Sequence, residues 1–285
     1  MYPELQWYRI TKTLSEDGGM CGGVYLADDF RGKRKAAIKH VIPKSNKHAQ
    51  MFRQEANHYI ALRHPNLMQV YNFADETRNG KGYFLAMEFI EGWSLLDILK
   101  KTGLMPEERL IPMFLQVLDT IGYLHSQEIL HLDIKPANIM VQPNGNVKII
   151  DMGISIDVKN QVGELRNHAG TPAYMAPEQI CREQIGYYTD IWQIGITLFK
   201  ALTGTEPFVS VTSREELNYR IVNYKLPKAS DFYPEISDEI QRILEKALAK
   251  SPHDRYSSCD EFARDLKNYQ LKRCYQDTYN YTNYF

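Results

Sequence analysis

The sequence predicts an α+β chain in two parts, a small β-sheet lobe followed by a larger, mainly helical lobe. Two observations carry that reading. Segments that alternate or run apolar, separated by turn signals, fill residues 1–90, and from Glu91 onward the apolar residues recur at helical spacing instead. At 285 residues the chain is long enough for one large domain or for two lobes closing on a cleft, and either buries a full core.

The strands come first. WYRITKTL, CGGVYLAD, KAAIKHVI, LMQVYNFA and YFLAMEFI follow one another with turn signals such as Asn79-Gly80 between them. One helix interrupts them between the third and fourth. HAQMFRQEANHYIALR, residues 48–63, carries Met51, Ala56, Tyr59, Ile60 and Leu62 at mixed helical spacing and stops before His64-Pro65, because a residue ahead of proline is pushed out of the helical region.

The helices follow. Ser94 is placed to cap SLLDILKK, and EERLIPMFLQVLDTIGYLHSQ lines up Leu110, Phe114, Val117, Leu118, Ile121 and Leu124 on one stripe, with Pro112 early enough to bend it. YTDIWQIGITLFKALTG, REELNYRIVNY, DEIQRILEKALAKS and SCDEFARDLKNYQ complete the helical lobe. The tail at 271–285, rich in Tyr and Asn without clear periodicity, reads as a loosely ordered terminus.

Composition narrows the partners. Lys plus Arg count 34 against Asp plus Glu at 35, a balance that suggests neither a nucleic-acid groove nor an anionic membrane surface. Cys21, Cys181, Cys259 and Cys274 are far apart, with neither metal-ligand spacing nor the density of a disulfide scaffold. The opening MYPELQWYRI lacks a basic patch followed by an apolar run, and no stretch reaches the roughly eighteen apolar residues of a membrane span. The expectation is a cytoplasmic protein, a monomer or weak dimer.

Two segments carry the chemistry, HLDIKPANIM at 131–140 and VKIIDMG at 147–153, joined by Pro143-Asn144-Gly145-Asn146. If Asn144-Gly145 forms the two-residue turn that Asn-Gly favours, residues whose numbers sum to 289 face each other and Asn138 sits opposite Asp151. An amide oxygen and a carboxylate at the open end of a hairpin are hard ligands that suit magnesium. Asp133 and Lys135 lie just upstream, placed for the carboxylate to orient or deprotonate an attacking hydroxyl and for the ammonium to neutralise a transferred phosphoryl group. Each residue alone reads more readily as a surface acid or a capping amide. Together, at this spacing, they read as a phosphoryl-transfer apparatus.

His131-Leu132-Asp133-Ile134-Lys135-Pro136-Ala137-Asn138, Asp151-Met152-Gly153 and Ala176-Pro177-Glu178, in this order, resemble the eukaryotic-type (Hanks-type) Ser/Thr protein kinase catalytic domain, including its soluble bacterial members. The resemblance covers about residues 5–270. It implies the bilobal protein kinase fold, with an amino lobe about 5–87 built on a small antiparallel sheet, a hinge at 88–92 and a carboxy lobe at 93–270. It implies ATP and Mg2+, with Mn2+ as an alternative, and protein substrates.

The resemblance also implies roles. Lys39 on the third strand holds the ATP phosphates and pairs with Glu55 on the single amino-lobe helix. Asp133 is the catalytic base, Lys135 binds phosphate, and Asn138 and Asp151 hold the metal. Glu88-Phe89-Ile90 form the hinge that meets adenine, Met87 guards the back of the pocket, and Val24, Ala37 and Met140 sandwich the ring. Thr171, with Lys135, marks Ser/Thr acceptors. Glu178 and Arg255 form a buried ion pair, and Asp190 braces the loop that carries Asp133.

The chain departs from the family at three places. Its glycine-rich loop holds Asp17, Gly19 and Gly22 at the three glycine positions, with Gly18 and Gly23 nearby, and an acid at the tip is expected to weaken ATP binding. Leu132 stands where an arginine usually reads an activation-loop phosphate, and residues 154–170 offer Ser155 as their one hydroxyl side chain, which together predict activity without phosphorylation there. Met152 replaces a phenylalanine and can fill the same apolar slot. The rival readings are a pseudokinase-type binding or scaffold module, suggested by Asp17 and Leu132, and a kinase of small metabolites. Against the first stand Lys39, Glu55, Asp133, Asn138 and Asp151; against the second, GTPAYMAPEQ and Arg255.

Overall fold

The computed structural model describes residues 7–15, 21–42, 56, 59–75, 82–150, 156–157, 170–208 and 211–282, with the backbone alone for residues 21, 22, 156, 157 and 274–282. The chain divides into two compact units, Met1–Glu91 and Gly92–Phe285.

In the first unit, strands β1 (Tyr8–Ser15), β2 (Cys21–Asp29), β3 (Arg34–Val41), β4 (Val70–Asp75) and β5 (Tyr83–Glu88) form one antiparallel sheet in the order β1-β2-β3-β5-β4. Each expected strand is present. Successive side chains alternate between faces, so the register decides which residues meet. Val24 lies opposite Lys39, Leu26 opposite Ala37, Ala37 opposite Met87 and Lys39 opposite Leu85, and these residues share one face. The other face packs Ala27, Ile38, Ala74, Phe84 and Ala86 against Tyr8, Tyr25 and Tyr71. Of the helix expected at 48–63, residues 56 and 59–61 are helical and the chain leaves the helix at Leu62; residues 48–55, Glu55 among them, and 57–58 lie outside the described residues.

The second unit opens with β6 (Trp93–Ser94) and helix α1 (Leu95–Thr102), where Ser94 Oγ accepts the Asp97 N–H at 3.1 Å as the expected cap. In α2 (Glu107–Ser126) the whole predicted stripe, Leu110 to Leu124, is buried, and Pro112 does not end the helix. Helices α3 (Pro177–Cys181), α4 (Tyr187–Thr203), α5 (Arg214–Asn223), α6 (Asp238–Ala247) and α7 (Cys259–Thr282) follow. Helix α2 packs on α4 and α7, and α4 packs on α6.

The loosely ordered tail does not hold as far as Thr282. Helix α7 continues that far, and its Arg273 guanidinium meets both Glu107 and Glu108 in the first turn of α2, with the Tyr269 hydroxyl donating to Glu107 Oε2 at 2.6 Å. These are interactions between residues far apart in sequence, which local periodicity does not register.

A second correction concerns the hairpin of β8 (Ile139–Val141) and β9 (Val147–Ile149), which follows the short strand β7 (Ile129–Leu130) along the chain. Ile139 pairs with Ile149, Met140 with Lys148 and Val141 with Val147, so facing residues sum to one less than the Asn-Gly turn required. The loop holds three residues: Gly145 N–H donates to Gln142 O at 2.9 Å, and Gln142 N–H to Asn146 O at 2.9 Å. Pro143 fixes the backbone angle wanted at the first central position of a type I turn, and Gly145, at φ 84°, takes the left-handed position after it. Asn138 therefore meets Ile150, whose N–H donates to Asn138 O at 2.9 Å; Asp151, which the Asn-Gly turn would set opposite Asn138, lies outside the described residues. A Cβ at position 145 would touch nothing within 4 Å, so Gly145→Ala isolates the backbone cost. Denaturant unfolding of the second unit is expected to show a loss of about 1 kcal/mol.

Candidate active site

Helix α4 is buried from Thr189 through Phe199, polar residues included. Buried polar groups need partners, and here the loop 131–138 supplies them. Asp190 Oδ2 accepts the His131 N–H at 2.9 Å, its Oδ1 accepts the Leu132 N–H at 2.8 Å, and His125 Nε2 lies 2.8 Å from Oδ2. Burial raises the Asp190 carboxyl, but the hydrogen bond from His125 and the charges of His125 and His131 outweigh it and hold the group below the usual carboxylate range. One helical turn on, Gln193 accepts the Ile134 N–H at 2.9 Å and donates to Leu132 O at 2.8 Å, and Thr197 Oγ1 lies 3.2 Å from Ile134 O. Leu132 itself is left-handed at φ 63°, with its side chain buried in a cluster with Leu130 and Ile185, against Tyr187.

This loop presents the expected group. Lys135 Nζ lies 2.6 Å from Asp133 Oδ2 and 2.7 Å from Thr171 Oγ1, while the Thr171 hydroxyl donates to Asp133 Oδ1 at 3.0 Å. Asn138 Nδ2 donates to the Asp133 carbonyl at 2.8 Å and lies 3.0 Å from Asp133 Oδ2. Asp133, Lys135, Asn138 and Thr171 are thus one cluster. Asp151 lies outside the described residues.

Behind the cluster, Glu178 and Arg255 form the expected buried ion pair. Two parallel 2.8 Å bonds join them, Thr189 Oγ1 donates to Glu178 at 2.9 Å, and the remaining guanidinium hydrogens reach the carbonyls of Tyr188, Ala249 and Lys250. Every charge in this pair is satisfied, as a buried pair requires.

In the first unit, Val24, Ala37, Lys39 and Met87 share the sheet face described above. Glu88 closes β5, its N–H donating to Gln69 O at 2.8 Å and its carboxylate accepting the Gln69 N–H at 3.2 Å, and Ile90 follows, half-buried. Met140 belongs to the second unit, on β8 opposite Ser94. Gly22 lies on β2, whereas Gly18, Gly19 and Glu55 lie outside the described residues. Gly23 is at φ 127°, and a Cβ there would meet the Tyr25 hydroxyl at 2.9 Å, so this glycine answers to local packing.

The sequence reading missed His125, Gln193 and Gln179. A signal was available for Gln193, a polar residue inside the otherwise apolar run IWQIGITL.

A family model for the protein kinase domain matches residues 14–269. The serine/threonine-protein kinase PknB of Mycolicibacterium smegmatis is 33% identical over 256 residues, 87% of this chain and 41% of its own length. PrkC of Bacillus subtilis, also a serine/threonine-protein kinase, is 30% identical over 264 residues, 91% of this chain and 40% of its own. A probable serine/threonine-protein kinase of Streptomyces coelicolor is 33% identical over 257 residues, 88% of this chain and 38% of its own. The chain belongs to the protein kinase domain family, and the relatives it resembles are serine/threonine-protein kinases. Its antiparallel sheet unit and helical unit are the two parts of the bilobal protein kinase fold expected from the sequence. It spans about two fifths of the length of these relatives. Among the described residues no helix is long and apolar enough to cross a membrane.

Asp190→Leu would leave the His131 and Leu132 N–H groups buried without an acceptor. Denaturant unfolding is expected to show a loss of about 3–5 kcal/mol. Because the folded carboxyl is depressed, its contribution is present above the ordinary carboxylate value of about 4 and is lost as pH falls through the lower folded value, an acid sensitivity the variant should lack.

Proposed function

We propose that the chain transfers the γ-phosphoryl group of ATP to serine or threonine hydroxyls of other proteins, acting in the cytoplasm with magnesium, or manganese in its place. The observation that carries this reading is the cluster of Asp133, Lys135 and Asn138, on a loop whose backbone is held by α4, with Thr171 bonded to Asp133 and Lys135 from a separate segment. The cytoplasmic placement rests on the four scattered cysteines, which suit a reducing compartment.

Asp133 orients the acceptor hydroxyl and takes its proton as the oxygen forms its bond to the γ-phosphorus; the bond from that phosphorus to the bridging oxygen breaks, and ADP leaves. Lys135 sets its ammonium beside Asp133, where it offsets charge on the transferred group. Thr171, bonded to both, fixes their mutual geometry, and the family resemblance reads it with Lys135 as the mark of a Ser/Thr acceptor. Asn138 fits a metal: both of its bonds to Asp133 use Nδ2, and its Oδ1 is a hard oxygen of the kind magnesium takes. Asp151 is its partner ligand in this reading. The metal, when bound, neutralises phosphate charge. Lys39 and Glu55 serve the ATP phosphates in this reading, and Gly18, Gly19 and Gly22 supply the glycine-rich loop for them. Val24, Ala37 and Met140 contact adenine, Glu88 and Ile90 offer it backbone groups, and Met87 closes the back.

The chain needs no phosphate on residues 154–170. In support, Leu132 puts an uncharged, apolar side chain among Leu130, Ile185 and Tyr187.

Transfer of labelled phosphate from MgATP to the protein and to a basic protein substrate tests the reading. Signal on serine or threonine is expected, and Asp133→Asn should lower kcat by about 10²–10⁴-fold with binding of MgATP retained. MgATP binding by the wild type without any transfer would instead make this a nucleotide-binding module. Phosphatase-treated protein and Ser155→Ala should keep kcat within about twofold of the untreated wild type, and an enzyme inert until phosphorylated in this segment would remove the claim of independence.

A further inference from the structure

We propose that Gln193 is a positioning residue, a latch that ties both sides of Asp133 to the start of α3 and so couples the catalytic loop to the segment that follows Thr171. The inference rests on the kinase reading above and says how that reading works with a leucine at position 132.

Gln193 is 1% exposed on the central helix α4. Its side chain has one carbonyl and two N–H hydrogens, and all three are used. Oε1 accepts the Ile134 N–H at 2.9 Å, while Nε2 donates to Leu132 O at 2.8 Å and to Gln179 Oε1 at 3.2 Å. Leu132 and Ile134 are the chain neighbours of Asp133. Gln179, 5% exposed, lies in the first turn of α3, and its Oε1 also accepts the Ala176 N–H at 2.9 Å.

These partners fix the amide's orientation, because the flipped amide would set N–H against N–H at Ile134 and oxygen against oxygen at Leu132 and Gln179. They also hold an uncommon backbone state. Leu132 is left-handed, and its two peptide groups are gripped from opposite ends of one helical turn, the N–H by Asp190 and the carbonyl by Gln193. Glutamate lacks the donors, leucine and methionine lack everything, and asparagine is one methylene shorter. The link to α3 is neutral, buried and permanent. An arginine at 132 would make its link through a phosphate; here the connection runs through two glutamines and needs no modification.

The test compares Gln193→Leu, Gln179→Leu and the double variant, each as the dephosphorylated full chain with folding verified by circular dichroism. Gln193→Leu should lower kcat by about 10- to 100-fold while KM for MgATP stays within about twofold, since the loop is displaced and the nucleotide contacts are not. Gln179→Leu should cost less, and the double variant should be no worse than Gln193→Leu in kcat, because both break the Gln193–Gln179 bond. The Leu132 and Ile134 amides should exchange with deuterium faster in Gln193→Leu. Unchanged kcat, effects that multiply in the double variant, or a rise in KM equal to the fall in kcat would each overturn the latch. If the wild type transfers no phosphate, the kinase reading fails by itself, and the exchange rates still decide the latch: unaltered protection at Ile134 refutes it. Should Gln193→Leu not fold, Gln179→Leu carries the same kcat, KM and exchange comparisons.

Discussion

The second unit is organised around one constraint, a helix buried on every side that nevertheless carries polar residues. Helix α4 cannot send Asp190, Gln193 or Thr197 to water, so each must find a partner in the protein. The partners they find are backbone groups of His131, Leu132 and Ile134, in a loop with no regular structure to satisfy them otherwise. Both sides of the exchange solve the same problem. The loop gains a fixed shape, including a left-handed leucine that would be unfavourable alone, and the helix gains satisfied polar groups. Functional side chains on a loop are precise only when the backbone beneath them is held, and here rigid elements hold it.

The buried pair of Glu178 and Arg255 acts on the neighbouring segment in the same way. A charge pair removed from water is a weak source of stability, yet with every donor and acceptor occupied it allows one arrangement. It joins α3 to a loop far along the chain and fixes where the stretch after Thr171 must end. In the first unit the corresponding constraint is strand register. The alternation that buries Ile38, Phe84 and Ala86 on one face sets Ala37, Lys39 and Met87 on the other, and a slip of a single residue would exchange them.

Much of this was legible in the sequence, for identifiable reasons. Strands and helices followed from periodicity because burial enforces periodicity, as the stripe from Leu110 to Leu124 shows. The cluster of Asp133, Lys135 and Asn138 was legible because the chain must place these groups within a few residues of each other. The hairpin register was misread because Asn144-Gly145 suggested a tight turn, while Pro143, one position earlier, favoured the longer one that formed. Gln193, Gln179 and the bond from Tyr269 to Glu107 could not be read locally, since their partners lie far away in sequence. Motif spacing reports what touches the reacting groups, and is silent about what holds them still.

The three tryptophans are distributed very unevenly with respect to water. Trp7 and Trp93 are 45% and 56% exposed, whereas Trp192 is fully enclosed on α4 with Lys250 and Arg255 each 5.0 Å from its ring centre. Burial holds the Lys250 ammonium down to about 8, with Arg255 adding to the effect, so the charge against one indole face is itself sensitive to mild alkali. A collisional quencher dissolved in the buffer reaches Trp7 and Trp93 and leaves Trp192 dark to it. The residual emission is then a private optical channel from the centre of the helical unit, available without attaching any label.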